Sequence, residues 1–206
     1  MKKIILLVML IFSSLCGVVN IEAASANSIS EARPLEETYP EFGYETVEEA
    51  VKEFEQHFNQ GLKLPLRIPP INFTHHFGRF NDLDGDINDS FELIFINDKS
   101  PENQYEIAVR PLKHKIPIKD KRVVKLFTLK NGNEAKFINI SESFEALVFE
   151  RDNWQYRLSI NKKISDKVSS EMLVEIANSI DYPSKKKNPL EMNSIVYQLT
   201  SAISRG

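Results

Sequence analysis

"EAKFINISESFEALVFERDNWQYRLSIN", residues 134–161, decides the fold. Its last third is the clearest part. Trp154, Tyr156, Leu158 and Ile160 alternate with Gln155, Arg157 and Ser159. A period of two sends the first set to one face of a strand and the second set to the other. "ERDNW" reads as a tight reversal into this run, because Asp and Asn tolerate turn conformations. Strands joined by such short connections cannot pair parallel, since a parallel pair needs a long crossover.

The same alternation extends upstream. "INFTHHFGRF" (71–80), "FELIFIN" (91–97), "QYEIAVRPLK" (104–113) and "VVKLFTLKNG" (123–132) are separated by turn signals. Asn131-Gly132 is the sharpest of these and predicts a type I′ turn, in which both residues take positive φ. Helical spacing borders the strands. In "TVEEAVKEFEQHFNQG" (46–61), Thr46 and Glu49 form a capping box, and Val47, Ala50, Val51, Phe54 and Phe58 share one face. Gly61 supplies the stop. The prolines of "LKLPLRIPPI" that follow predict an extended connector. In "SSEMLVEIANSI" (169–180), Ser169 caps a stripe of Met172, Leu173, Ile176, Ala177 and Ile180. The predicted class is α+β: an N-terminal helix, an antiparallel sheet of about six strands in a meander, and one or two C-terminal helices packed on one face. The second of those helices is expected from Pro189, with Met192, Ile195, Val196, Leu199 and Ile203 on one side. It would cover the sheet or, behind Lys185–Lys187, meet a partner or a membrane surface.

The closing segment, from Trp154, Tyr156 and Leu158 through Glu171, Leu173, Ile176, Ala177, Ser179 and Ile180, resembles a bacterial domain of unknown function, family 4367. The opening helix and Pro-rich connector are similar to the same family, so the resemblance spans roughly residues 46–181. It implies an exported protein or the extracytoplasmic part of a membrane protein, and it brings no catalytic residues with it. Physically the matching positions are a core signature, because Trp154, Tyr156 and Leu158 share a strand face that the helix stripe can cover.

The first residues speak to compartment. Lys2 and Lys3 precede an apolar run from Ile4 to Phe12, and Ala24-Ser25-Ala26 has the small-residue form of a cleavage site. Residues 1–26 read as a signal peptide, 27–44 as a flexible acidic arm, 45–182 as one domain, and 183–206 as a basic linker with an amphipathic helix. Cys16 is the only cysteine, and Leu15 before it argues against lipidation there. A chain cleaved after Ala26 has no disulfide, thiol nucleophile or cysteine-based metal site. The expected localisation is secreted or extracytoplasmic.

Charge is unevenly spread: 17 acidic against 6 basic residues over 31–106, then 9 basic against 2 acidic over 107–136. Two regions of opposite sign can steer a charged partner or neutralise each other by packing, and the second is favoured. Lys113, Lys115, Lys119, Lys121 and Arg122 form a candidate polyanion patch, for an envelope polymer or an anionic surface. The segment has no aromatic side chains to stack on bases, which argues against nucleic acid.

"FNDLDGDINDSFE" (80–92) is the candidate cation loop. Asp82, Asp84 and Asp86 have the two-residue spacing of calcium ligands, and Asn88 and Asp89 add oxygens. The EF-hand register fails, because Gly85 in the sixth place puts Phe80 first and Phe91 twelfth. The favoured reading is the tip of a hairpin. The histidines are expected not to be ligands: His75 and His76 point to opposite strand faces, and His57 lies on the exposed side of its helix. Metalloprotease, serine hydrolase and phosphate-loop motifs are absent. The expectation is an exported non-enzymatic domain that binds a partner protein or a cell-envelope component, with no cofactor. Two alternatives are a secreted hydrolase with an acidic pair and a weak calcium-dependent binding module.

Overall fold

The computed structural model describes residues 33–83 and 89–181. The expected leader, Cys16, the candidate ligands Asp84, Asp86 and Asn88, and the last helix lie outside the described residues. Helices α1 (Leu35–Thr38), α2 (Val47–Phe58) and α3 (Ser170–Asn178) accompany one antiparallel sheet. Its strands are β1 (His75–Asn81), β2 (Ser90–Ile96), β3 (Gln104–Pro111), β4 (Val123–Thr128), β5 (Glu134–Asn139), β6 (Phe144–Arg151) and β7 (Trp154–Asn161). The class is α+β as expected, with seven strands rather than six. None of the described helices is long and apolar enough to cross a membrane.

The expected meander needs a larger correction. The order is β1-β2-β3-β7-β6-β5-β4, so two meanders meet at a β3–β7 seam in which Tyr105 pairs with Ile160 and Pro111 with Trp154. Between β3 and β4 the chain must travel to the far edge of the sheet. The basic segment 112–122 makes that crossing as a strap with two short 3-10 turns. Its Ile118 packs on Ile138, Ala146 and Val148.

Inward-facing side chains of the sheet meet α2 and α3. Phe91, Leu93, Tyr105, Ile107, Tyr156, Leu158 and Leu173 are all buried in this core. The Thr46–Glu49 capping box forms, and the Ser169 hydroxyl accepts from the Met172 N–H at 3.2 Å. Each such cap contributes about 1 kcal/mol. Phe149 and Tyr156 stack across the β6–β7 pair at 5.1 Å. The connector 59–74 has no regular structure but is well tied. Glu55 accepts from the Leu62 N–H, and the Ser179 hydroxyl accepts from the Leu66 N–H.

Two local expectations change. Part of the stretch expected as a flexible arm is folded: α1 and the turn Tyr39–Phe42 lay Tyr39 on Phe77 at 4.6 Å. At Asn131-Gly132 only the glycine has positive φ, 86°, which excludes a type I′ turn. The Gly132 N–H instead donates to the Leu129 carbonyl, and the Leu129 N–H to the Asn133 carbonyl, as in a longer loop with a left-handed glycine.

The edge strand β4 is anchored to α3 by Lys125, whose Nζ lies 2.5 Å from Glu171. That bond, the backbone N–H at the helix start and the Ser170 hydroxyl hold the Glu171 carboxyl down to about 2. A carboxyl lowered on folding contributes stability that is present above its ordinary value of 4.5 and is lost as pH falls through about 2. Glu171→Gln is therefore expected to melt below the wild type at neutral pH, with the gap closing between pH 4.5 and 2. Thermal melts across that range check this, and a gap independent of pH contradicts it.

Candidate functional site

The sheet face away from α2 and α3 divides into three zones. At the β1 end, Tyr39 and Tyr44 lie over it. At the β5–β7 end the strap covers it. Between them runs a row of charges. Arg79 pairs with Glu92 at 2.5 Å and lies over the Tyr44 ring at 4.4 Å, while the Tyr44 hydroxyl donates to Glu92. Arg157 bonds Glu106 across the β3–β7 seam.

Gln155 fastens the strap. Its Oε1 accepts from the Ile116 N–H at 2.9 Å and its Nε2 donates to the Ile116 carbonyl at 3.0 Å. A side-chain amide thus takes the place of a neighbouring strand and satisfies both backbone groups of one strap residue. Gln155 is itself buried, which makes the clamp a rigid one.

Two cavities lie along the strap. The larger, about 590 Å³, has polar walls, among them Lys115, Glu134, Lys136, Glu150 and Asp152. Each carboxylate there meets a cation: Glu150 meets Lys115 at 2.8 Å, Glu134 meets Lys136 at 3.5 Å, and Asp152 meets Lys63 at 3.3 Å. The smaller, about 130 Å³, lies under the strap, with Ile116, Ile118, Ile138, Ile140 and Val148 as its aliphatic part. Arg110, Arg122 and Arg157 also line it. Arg157 is committed to Glu106. Arg110 is half-buried and makes no hydrogen bond or ion pair among the described residues. Burial, reinforced by the like charge of Arg157 and opposed by Glu92, pushes its pKa below the ordinary arginine value.

The strap splits the expected polyanion patch. Lys115 is paired and lines the large cavity, and Lys113 also has a partner. Lys119, Lys121 and Arg122 are exposed together at the turn before β4, and Arg122 reaches the small cavity. Arg110 escaped the sequence reading because it sits inside a strand. Only the crossover, which the local pattern does not encode, brings the strap over it.

The hairpin expected at residues 80–92 forms, and Asn81 pairs with Ser90 at its last rung. Asp82 and Asp89 follow that rung on either side. His57 is exposed, as its side of the helix predicts, and it also reaches toward them from the last turn of α2. Its ring packs on Phe58 at 4.6 Å and Phe80 at 5.1 Å. Nε2 lies 3.0 Å from Asp89 Oδ2, and Nδ1 lies 3.9 Å from Asp82 Oδ2. Of the five expected loop ligands the described structure thus brings two together, with a histidine the loop does not contain. His75 and His76 occupy opposite faces, where His75 meets Glu36 at 2.8 Å and His76 stands near Phe95.

Trp154, Tyr156 and Leu158 are core residues. No protein-family model, curated protein or solved structure matches the chain.

Proposed function

We propose that this chain is an exported, non-catalytic binding domain whose ligand is an anionic amphiphile of the cell envelope. In this reading the strap-covered face takes a phosphate or carboxylate head group together with the start of an alkyl chain. Arg110 carries the reading. A guanidinium half-withdrawn from water, near Glu92 but in ion-pair contact with no carboxylate among the described residues, gains from a further partner, which an anionic head group would supply. The aliphatic wall beside it would accept apolar chain, which a purely ionic polymer does not need. A cavity of about 130 Å³ holds roughly four water volumes, enough for a head group. Ile116, Ile118, Val148 and Gln155 line both cavities, so the two are adjacent. That larger space falls within the roughly 300–1,000 Å³ of small-molecule sites.

Titration calorimetry with dodecyl phosphate below its micelle concentration tests the reading. Binding is expected for the wild type and at least tenfold weaker for Arg110→Met, which keeps the length of the side chain and removes its charge. Inorganic phosphate alone is expected to bind much more weakly. Equal binding by Arg110→Met overturns the reading. So does binding that follows only Lys119, Lys121 and Arg122 with a steep salt dependence, because that is the behaviour of a polyanion patch.

A further inference from the structure

We infer that His57, Asp82 and Asp89 form a binding site for a divalent ion of the zinc class, at the junction of the β1–β2 hairpin with the end of α2. One donor atom from each of the three lies within 4.8 Å of the others. The site shares no residue with the outer-face cavities and stands independently of any ligand they hold.

The decisive observation concerns Asp89. Its side chain has no exposure, and Oδ1 accepts from the Leu83 N–H at 2.9 Å. Oδ2 is buried and receives no hydrogen bond, although His57 Nε2 is only 3.0 Å away. A buried carboxylate oxygen close to a nitrogen that does not aim a hydrogen at it is an expensive arrangement without a third atom. A shared cation accounts for it. Zinc sits about 2.0–2.1 Å from both nitrogen and oxygen ligands, so two ligands at about 90–110° around it lie about 3.0–3.4 Å apart. Each lone pair then points at the ion and away from the other ligand. The observed 3.0 Å falls in that range.

Asp82 Oδ2 lies 3.9 Å from the other ring nitrogen, Nδ1, and would supply the third donor, from the solvent side, by turning toward Nε2. It is 69% exposed, so its carboxylate can swing inward while water completes the coordination. Phe58 and Phe80 hold the imidazole plane on its other flank. Nitrogen among the donors decides the kind of ion. Calcium takes oxygen ligands, whereas imidazole with carboxylates suits zinc and its neighbours in the first transition row. Unlike the candidate all-oxygen calcium loop, whose Asp84, Asp86 and Asn88 lie outside the described residues, this is a mixed site built from two elements.

Thermal unfolding of the untagged chain with added Zn²⁺ or Ca²⁺ tests the assignment, followed through the emission of Trp154. Saturating Zn²⁺ is expected to raise Tm by at least about 5 °C, as tight binding to the folded state alone requires. The shift should vanish in His57→Gln and in Asp89→Asn, whose side-chain oxygen can still accept from Leu83. If Asp89→Asn does not fold, His57→Gln decides. Co²⁺ absorption in the visible range, present in the wild type and lost in His57→Gln, gives a readout that stability does not move. No Zn²⁺ shift in the wild type, an equal shift in His57→Gln, or a Ca²⁺ shift as large as that of Zn²⁺ overturns the proposal.

Discussion

Gly78→Ala is expected to destabilise the protein by about 3 kcal/mol, through overpacking where the start of α2 lies directly on the β1 backbone. A Cβ placed there would stand 2.8 Å from the Ala50 Cβ and 2.9 Å from the Val47 Cα. Real side-chain carbons do not approach so closely, and neither neighbour is the loose end of a flexible side chain. Gly78 is also fixed on its other side. It exchanges both backbone hydrogen bonds with Glu45, the residue just before the helix cap. Strand and helix therefore cannot separate without breaking that bridge. Trimming the helix does not rescue the variant. Ala50→Gly removes one clash, leaves the Val47 backbone in place, and costs about 1 kcal/mol in helix propensity. Urea unfolding of the two single variants and the double variant reads this directly. A Gly78→Ala midpoint equal to that of the wild type would mean that α2 rides higher on the sheet than described.

Phe54→Ala is expected to cost about 3–5 kcal/mol, the range for deleting a buried aromatic ring. Phe54 is fully buried and stands within ring contact of four partners: Trp154 at 4.7 Å, Phe58 at 4.8 Å, Phe80 at 5.8 Å and Phe91 at 6.0 Å. No neighbour can fill the void without leaving its own packing, so little of the loss is recovered. The chain carries its own reporter here. Trp154 is the only tryptophan, is 3% exposed, and loses its nearest ring in the variant. Its emission should shift to the red under conditions where the variant is still folded. A stable variant with unchanged emission would show that the cluster closes over the cavity.

The helices and strands were legible wherever one local rule suffices. The capping box at Thr46 and Glu49, the Ser169 cap, and the alternation from Trp154 to Ile160 each depend only on residues close in sequence. Strand neighbours depend on more than that. β3 and β4 have the same local pattern whether they pair or part, and only the length of the proline-bearing strap between them allows the crossing. The strap reads as a solvated basic loop because most of its lysines are solvated, while Ile116 and Ile118 are the residues that hold it to the sheet. The aspartate loop shows the same limit in reverse. Its hairpin was legible from turn chemistry. Its histidine was not, because a helical-face argument counts only neighbours along the helix, and Asp82 and Asp89 beside the last rung of the hairpin lie against its final turn. Arg110 escaped for the related reason that alternation assigns a face without saying what lies on it.

The seam between β3 and β7 has a consequence for the order in which the molecule can be assembled. Each three- or four-strand ribbon can begin from neighbouring hairpins, but the join between them waits for the last strand. A chain delivered from its N-terminus would carry β1–β3 with Tyr105, Ile107 and Val109 on an unpartnered border until Asn161 has emerged. Cutting the protein anywhere before β7 leaves that border open to other chains, with the aggregation hazard of an uncovered strand. Among the described strands β7 is the latch, since it joins the two ribbons.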